Sequence, residues 1–525
     1  MQSDLSLGRR PVRLLVFLRS YAGPFFLGAM AVLGFAPFGL YVIPVVCLTC
    51  LLLMWRDCVS STAAALVGFT FGAGMFVVGV SWVYVSLHVY GGMVVPVAAV
   101  FTLLFCLIQA CYPALVGAVL MRSRASFAAK YLLLFPALWV FSEWLRSWVL
   151  SGFPWLSIGY SQVPASPLAG FAPVLGTFGV SLVTAIIAGA IATTVDIWFR
   201  RSTTAAGKAF FFPLGTAIGV AGALLIAGVL LKHHQWTEPL PGEPTTVTLL
   251  QGNIPQELKW RPERAQATLQ TYLELVRSTD SKLILLPETA LPVLNIDIPS
   301  DYVKAFTDRA LLNGGDMLFG VPERDPSGRY YNSVMSLGMA STQIYRKHHL
   351  VPFGDFFPLQ SVLGWIMRLL HIPMSDFSHG APVQRPLQVA GQKVAVNICY
   401  EDAFGEEIIR QLPEATVLAN FTNDAWWGDT IASRQHLQIA QMRALETGRP
   451  MLRATNTGVT AIIDPAGHVV ASAPEFTTTK LSGTVRGYQG STPYVRMGNA
   501  GVLLLAGAMI LVQLLVARVR LYRKR

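Results

Sequence analysis

Cys399 closes an apolar run, VAVNI (394–398), and Tyr400, Glu401 and Asp402 follow it. The pattern predicts a strand that delivers a thiol at its carboxyl end, just before a helix. Ligand sites in α/β sheets form at such ends. A second run, LILL (283–286), ends in Pro287 and Glu288, which puts a carboxylate at another strand end. A third segment, Tyr345 to Asp355, puts Lys347 just after a strand. Together they make a workable acyl-transfer set. Glu288 removes the thiol proton, the Cys399 thiolate attacks an ester or amide carbonyl, and the Lys347 ammonium stabilises the oxyanion. Taken singly, each has an ordinary reading: an inert thiol, a surface carboxylate, a solvated ammonium. Three strand ends in one domain bring the chemical reading level with the ordinary one.

The elements that must position these groups lie within residues 232–497. Strands are expected at 245–251, 282–287, 316–321, 331–338, 393–398, 416–422, 451–456 and 458–463. Helices are expected at 262–279, 299–313, 403–411 and 430–447. Alternating strands and helices argue for an α/β domain. Cys399 is the only cysteine there, so it has no disulfide partner within the domain. The other five, Cys47, Cys50, Cys58, Cys106 and Cys111, lie in or beside apolar runs. Cys47 and Cys50 have C-x-x-C spacing but read as small hydrophobes.

Only 13% of the 525 residues are charged, against about 25% for a soluble domain. That excludes both an ordinary soluble protein and a disordered one. Eight apolar runs are read as membrane spans: 21–37, 39–55, 62–86, 92–121, 131–149, 170–198, 209–231 and 498–517. The positive charge collects at their ends, in Arg9, Arg10, Arg13 and Arg19, Arg56, Arg122, Arg124 and Lys130, Arg200, Arg201 and Lys208, and five residues from Arg518 onward. With eight spans all five clusters fall on one side. Both termini are then cytoplasmic and 232–497 lies on the far side, in a periplasm where one exists. The basic excess reads as topology, not as a nucleic-acid footprint. The N-terminus is expected to be retained, because no small-residue cleavage site interrupts the spans, and Arg9-Arg10 reads as positive-inside charge.

The three chemical motifs resemble the Glu-Lys-Cys triad of the carbon–nitrogen hydrolase (nitrilase) superfamily. Over its full length the chain resembles the apolipoprotein N-acyltransferase family within it. The stretches that carry the resemblance are GFPW (152–155), GYSQ (159–162), QGNIPQELKW (251–260), LPETALP (286–292), YRKHHLVPFGD (345–355), ICYED (398–402), TNDAWWG (422–428) and RALETGRPMLRATNTG (443–458). The resemblance implies three domains: a seven-helix membrane domain (1–231), an αββα sandwich (232–497), and an eighth span with a basic tail (498–525). It implies Glu288 as base, Lys347 as oxyanion stabiliser and Cys399 as nucleophile. Tyr400 and Glu401 are implied to shape the pocket and Trp260 to line the substrate approach. Asp355 stands where the family usually has Glu; one methylene shorter, it must be re-aimed or bridged by water to support the site. The implied reaction is ping-pong. Cys399 takes the sn-1 acyl chain of phosphatidylethanolamine as a thioester. The α-amine of an S-diacylglyceryl-cysteine at a lipoprotein N-terminus then receives it. The implied enzyme is a multi-pass protein of the bacterial inner membrane and needs no metal or organic cofactor. Nothing in the sequence demands a partner chain, so a monomer is expected.

Several residues keep two readings. Asn423 either orients the pocket or makes a turn. Trp426 and Trp427 either gate a lipid entrance or pack in the core. Glu143 and Arg146 are either a functional intramembrane pair or, the favoured reading, a local i, i+3 ion pair. The GFPW–GYSQ loop either braces the catalytic domain or lies in the interface. The histidine pairs 233–234 and 348–349 lack an evident third metal ligand. Two rival functions are a membrane-anchored amidase for small soluble amides and a non-enzymatic transporter or scaffold. Eight spans argue against the first, few intramembrane polar residues against the second.

Overall fold

A computed structural model describes residues 21–201, 211–356 and 376–522. The expected arginines 9–19, Lys208 and the charges at 523–525 lie outside these. Four helices are long and apolar enough to cross a bilayer: Ser61–Gly79, Val95–Arg122, Pro167–Phe199 and Leu214–His233. Three shorter apolar helices, Tyr21–Gly34, Val42–Arg56 and Ala500–Val516, accompany them. Four clear spans, rather than eight, are therefore found among the described residues.

One expected span breaks for a visible reason, and another is irregular. The run 62–86 leaves its helix at Gly79, whose carbonyl accepts from Gln435 Nε2 at 3.1 Å. A side chain from the second half of the molecule thus satisfies an end carbonyl that a helix cannot satisfy itself. Val83–Val85 and Ser86–Tyr90 then form a separate arm. The run 131–149 begins as a π-turn, Lys130–Leu134, and is α-helical only over Phe135–Arg146.

The second half holds two six-stranded sheets. The first runs in the order Thr479–Val485, Thr245–Gln251, Leu283–Leu286, Asp316–Arg324, Tyr330–Gly338, Ile344–Arg346. The second runs Val469–Ser472, Ala461–Ile463, Met451–Thr455, Val417–Thr422, Gln392–Ile398, Leu387–Val389. In each sheet three neighbouring strands are parallel and the flanking ones antiparallel. The parallel strands are covered on both faces, which is why they read as unbroken apolar runs. Val247, Leu285, Val396, Phe421 and Leu452 fill the space between the sheets. Pro262–Arg277 and Ser300–Leu312 cover the outer face of the first sheet, and Ala432–Thr447 that of the second. The expected αββα sandwich is therefore present.

All eight expected strands occur, some displaced by a few residues. The expected helix 403–411 does not. It is split into Cys399–Ala403, Gly405–Ile408 and Ile409–Gln411, because Phe404 leaves helical geometry (φ −109°, ψ 83°) to stack on His349 at 3.6 Å. Short strands Thr237–Pro239 and Tyr488–Gly490 pair antiparallel, so the chain enters and leaves the sandwich side by side.

Candidate active site

Cys399 sits where the strand Gln392–Ile398 turns into a 3-10 helix, with φ at +54°. That region is costly for a residue with a Cβ and persists only where surroundings enforce it. Two contacts do so. Asn420 Nδ2 donates to the Cys399 carbonyl (3.1 Å), and Ile398 N–H donates to Glu401 Oε2 (2.7 Å). Burial pushes the Cys399 thiol up, the Glu288 charge pushes it further, and Lys347 opposes both.

Glu288 lies two residues beyond the strand Leu283–Leu286 and is buried. Its Oε1 accepts from Asn332 Nδ2 (2.7 Å) and its Oε2 from the Asn423 N–H (3.0 Å). Lys347 Nζ stands 3.6 Å from Glu288 Oε1 and 2.7 Å from Asp355 Oδ2. Burial draws the Lys347 ammonium down, but Asp355, Glu288 and Cys399 outweigh it and hold the ammonium above the usual lysine range. The shorter Asp355 needs no bridging water. The turn from Val351 to Phe356 brings its carboxylate directly onto Lys347, and the Val351 N–H holds the same oxygen at 2.8 Å.

Glu401 is buried. Its carboxylate accepts from the backbone of Ile398, His348 and His349 and from the Tyr345 hydroxyl. It therefore ties the Lys347 loop to the Cys399 turn. Burial raises its pKa, and these donors with Lys347 oppose the rise.

Tyr400 points toward the membrane half. Its hydroxyl donates to the Gly152 carbonyl (3.1 Å) and its ring stacks on Trp155 and Phe153. His349 uses one ring nitrogen toward Glu407 and the other toward the Ser151 carbonyl. The loop they grip is anchored by Glu143 and Arg146. Glu143 Oε1 accepts from Trp139 Nε1 and the Ile158 N–H, and Arg146 donates to the Phe153 and Trp155 carbonyls. Both residues turn to the loop, and their charges also act on each other along the helix. The GFPW segment is a brace.

On the other side, the turn Gln256–Lys259 carries Gln256, which accepts from Asn423 Nδ2 (2.7 Å). Asn423 thus orients the Glu288 carboxylate through its backbone and is itself held by Gln256 and Asn456. Trp260 ends that turn, half-buried. Trp427 packs against Trp82 and Trp155, while the more exposed Trp426 meets Tyr90 of the membrane arm.

Sequence reasoning missed two features. Lys259 is buried, with Nζ donating to the Glu288 carbonyl at 3.1 Å. Below Cys399, Asp402, Asp424, His436 and Arg453 form a fully buried charge network. Arg453 also holds Asn420, the residue that holds the Cys399 carbonyl. The only advance signal was that Asp402 and Asp424 follow two apolar strands at short distance.

Family models match both halves. One described as the apolipoprotein N-acyltransferase N-terminal domain covers residues 27–190, and one described as carbon-nitrogen hydrolase covers 246–494. Among curated relatives, the apolipoprotein N-acyltransferase of Nitrosomonas europaea is 50% identical over 494 residues, covering 92% of this chain and 96% of its own. Those of Methylococcus capsulatus and Chromobacterium violaceum are 46% and 42% identical, over 90% and 96% of this chain and 91% and 95% of theirs. Shared so evenly along almost the whole length, these residues show that the chain belongs to the apolipoprotein N-acyltransferase family.

Proposed function

We propose that the chain acylates lipoproteins by a thioester route through Glu288, Lys347 and Cys399. Glu288 takes the thiol proton and Cys399 attacks the sn-1 ester of phosphatidylethanolamine, with Lys347 facing the oxyanion. The C–O bond breaks, Glu288 returns the proton to the leaving lysophospholipid, and an S-acyl bond remains on Cys399. The α-amine of the S-diacylglyceryl-cysteine then attacks the thioester. Its proton passes through Glu288 to the departing thiolate, and a triacylated lipoprotein leaves. A carboxylate held by two hydrogen bonds and faced by an ammonium suits both proton transfers.

The observation that carries this reading is the grip of Gly152 on Tyr400, the residue beside the nucleophile. It sets Cys399 at the edge of the apolar half, where lipid chains are and water is scarce. A hydrolytic triad becomes a transferase when water is kept from the acyl-enzyme. We read the molecule as multi-pass, with eight helical segments in or against the inner membrane, both termini cytoplasmic and 232–497 periplasmic and acting as a monomer.

Intact-protein mass spectrometry after incubation with phosphatidylethanolamine tests the proposal. The expected result is one acyl-chain increment, removed by neutral hydroxylamine and absent from Cys399→Ser. Free fatty acid without an adduct would make the protein a lipid hydrolase and overturn the transferase reading.

A further inference from the structure

Lys259 has no part in the reaction above, yet it is the second buried lysine of the site. It is 2% exposed, and the Glu288 carbonyl takes one of the three N–H donors of its ammonium. It stands on the same short turn as Gln256, which holds Asn423, which holds the Glu288 carboxylate. The charges facing it are Glu288, on the loop after its strand, and Cys399, on the elbow. Glu257, on Lys259's own turn, is exposed and acts on Tyr90 of the membrane arm. Burying an ammonium is expensive unless a nearby charge uses it.

The charge balance of the pocket shows the use. Two buried carboxylates, Glu288 and Asp355, stand within 3.6 Å of one ammonium, Lys347, and buried Glu401 also acts on it. Moving the thiol proton to Glu288 leaves the negative charge on Cys399 in the same water-poor pocket, where surplus negative charge resists a thiolate. Lys259 is the second cation beside Glu288 and Cys399.

We propose that Lys259 is the balancing cation of the catalytic site, fixing the main chain of Glu288 and offsetting the acids so that Cys399 can ionise. It is a positioning residue: it forms no bond with the acyl group, and the proton still travels between Cys399, Glu288 and the leaving oxygen. Burial draws its pKa down to about 8, while Glu288 and Cys399 pull upward. The charge is therefore present at neutral pH and fades above about pH 8.

The proposal rests on the Glu288–Lys347–Cys399 reading, and the test separates the two. The full chain in detergent is alkylated with iodoacetamide across pH without lipid, and the Cys399 peptide is followed by mass spectrometry. Acyl-enzyme formation, kcat and phospholipid KM are measured alongside. Lys259→Met is expected to slow alkylation of Cys399 at pH 7 at least about tenfold, and acylation likewise, with the difference shrinking above about pH 8. KM should stay near its original value, and Lys259→Arg should recover the pH 7 alkylation rate. Each profile is read on protein that keeps a single melting transition; Lys259→Gln replaces Met if Met does not. Wild-type alkylation and acylation in the neutral variant would overturn the proposal. So would failure of Lys259→Arg to recover the pH 7 alkylation rate while melting normally, since shape and not charge would then matter. Glu288→Gln is run in parallel: if it alkylates and acylates normally, the triad reading itself fails.

Discussion

Cys399 holds a conformation its own side chain disfavours, and the cost is carried by residues from other strands. Asn420 reaches its carbonyl and Arg453 reaches Asn420, with Asp402, Asp424 and His436 packed around the guanidinium. Burial draws the Asp424 carboxyl upward, but Arg453 and His436 more than offset it and hold it below the usual range. Removing one partner of a buried ion network leaves the others uncompensated, typically at about 3–5 kcal/mol. Arg453→Met is therefore expected to lower the melting transition and to cut acylation even where folded protein is recovered. A parental melting curve would show the network to be dispensable. Asp355→Asn keeps the size of the side chain and removes the charge 2.7 Å from Lys347. Hydrogen bonds to charged groups contribute roughly 1.5–3 kcal/mol, so thioester formation should slow about ten- to a hundredfold; an unchanged rate would remove that charge from the mechanism. Lys259 also has a stability signature. Between about pH 8 and the ordinary lysine value of 10.5 the unfolded chain holds a proton that the folded chain has shed. Stability from this residue thus rises with pH through that window and is a penalty below it. The parent should therefore gain melting temperature relative to Lys259→Met as pH rises from about 8 toward 10, and a difference independent of pH would count against the shifted lysine.

The helix Ala432–Thr447 explains how the two halves are joined. A helix of this polarity on a soluble sandwich would face water, yet nearly all its residues are buried, between the second sheet and the membrane helices. Its polar side chains are the fasteners. Gln435 Oε1 accepts from Trp155 Nε1 (2.7 Å) and Trp82 Nε1 (3.3 Å), and its Nε2 takes the Gly79 carbonyl. Arg443 and Glu446 pair with each other and meet Thr177 of a membrane helix. Gln435→Leu leaves three buried polar groups unpaired, at about 1–3 kcal/mol for each. Lower thermal stability with the sandwich still folded is expected, and detergent melting curves with limited proteolysis would show it. The opposing loop is equally particular. Gly152 has φ +79°, and a Cβ there would come within 2.0 Å of the Ser147 carbonyl oxygen. Gly152→Ala is expected to displace the loop and reduce acyl-enzyme formation, while retaining the fold of each half.

Across the molecule, the two halves share one aromatic seam and two polypeptide connections. The paired strands at 237–239 and 488–490 bring those connections together beside the end of Ala432–Thr447, where Thr237 Oγ1 donates to the Gly448 carbonyl, and the 150–155 loop holds the sandwich through Tyr400 and His349. That arrangement suits an enzyme whose substrates arrive from the bilayer. It also makes orientation testable. Cysteines placed at Thr342, exposed on the sandwich, and at Ser126, exposed between two membrane helices, should differ in whole cells. A membrane-impermeant maleimide applied after outer-membrane permeabilisation is expected to label the first and not the second, above the parental background. The reverse pattern would invert the proposed topology.

The strands, and the Glu288, Lys347 and Cys399 positions at their ends, were legible because their information is local. Unbroken apolar runs such as 283–286 and 394–398 predict strands covered on both faces, and the polar residue after each run predicts a site. Apolar length likewise marked Ser61–Gly79 and Val95–Arg122 as spans. The rest depended on partners far away in the chain. Lys259 and Gln435 look like surface residues on short polar stretches, and Glu143 and Arg146 look like each other's partners. Trp155 and Gln435 are 280 residues apart, and Tyr400 meets a carbonyl 248 residues away. Periodicity tells which residues must leave water. Which buried donor finds which buried acceptor is settled only when helices, sheets and loops are brought together, because a polar group's requirement is for one partner at about 3 Å.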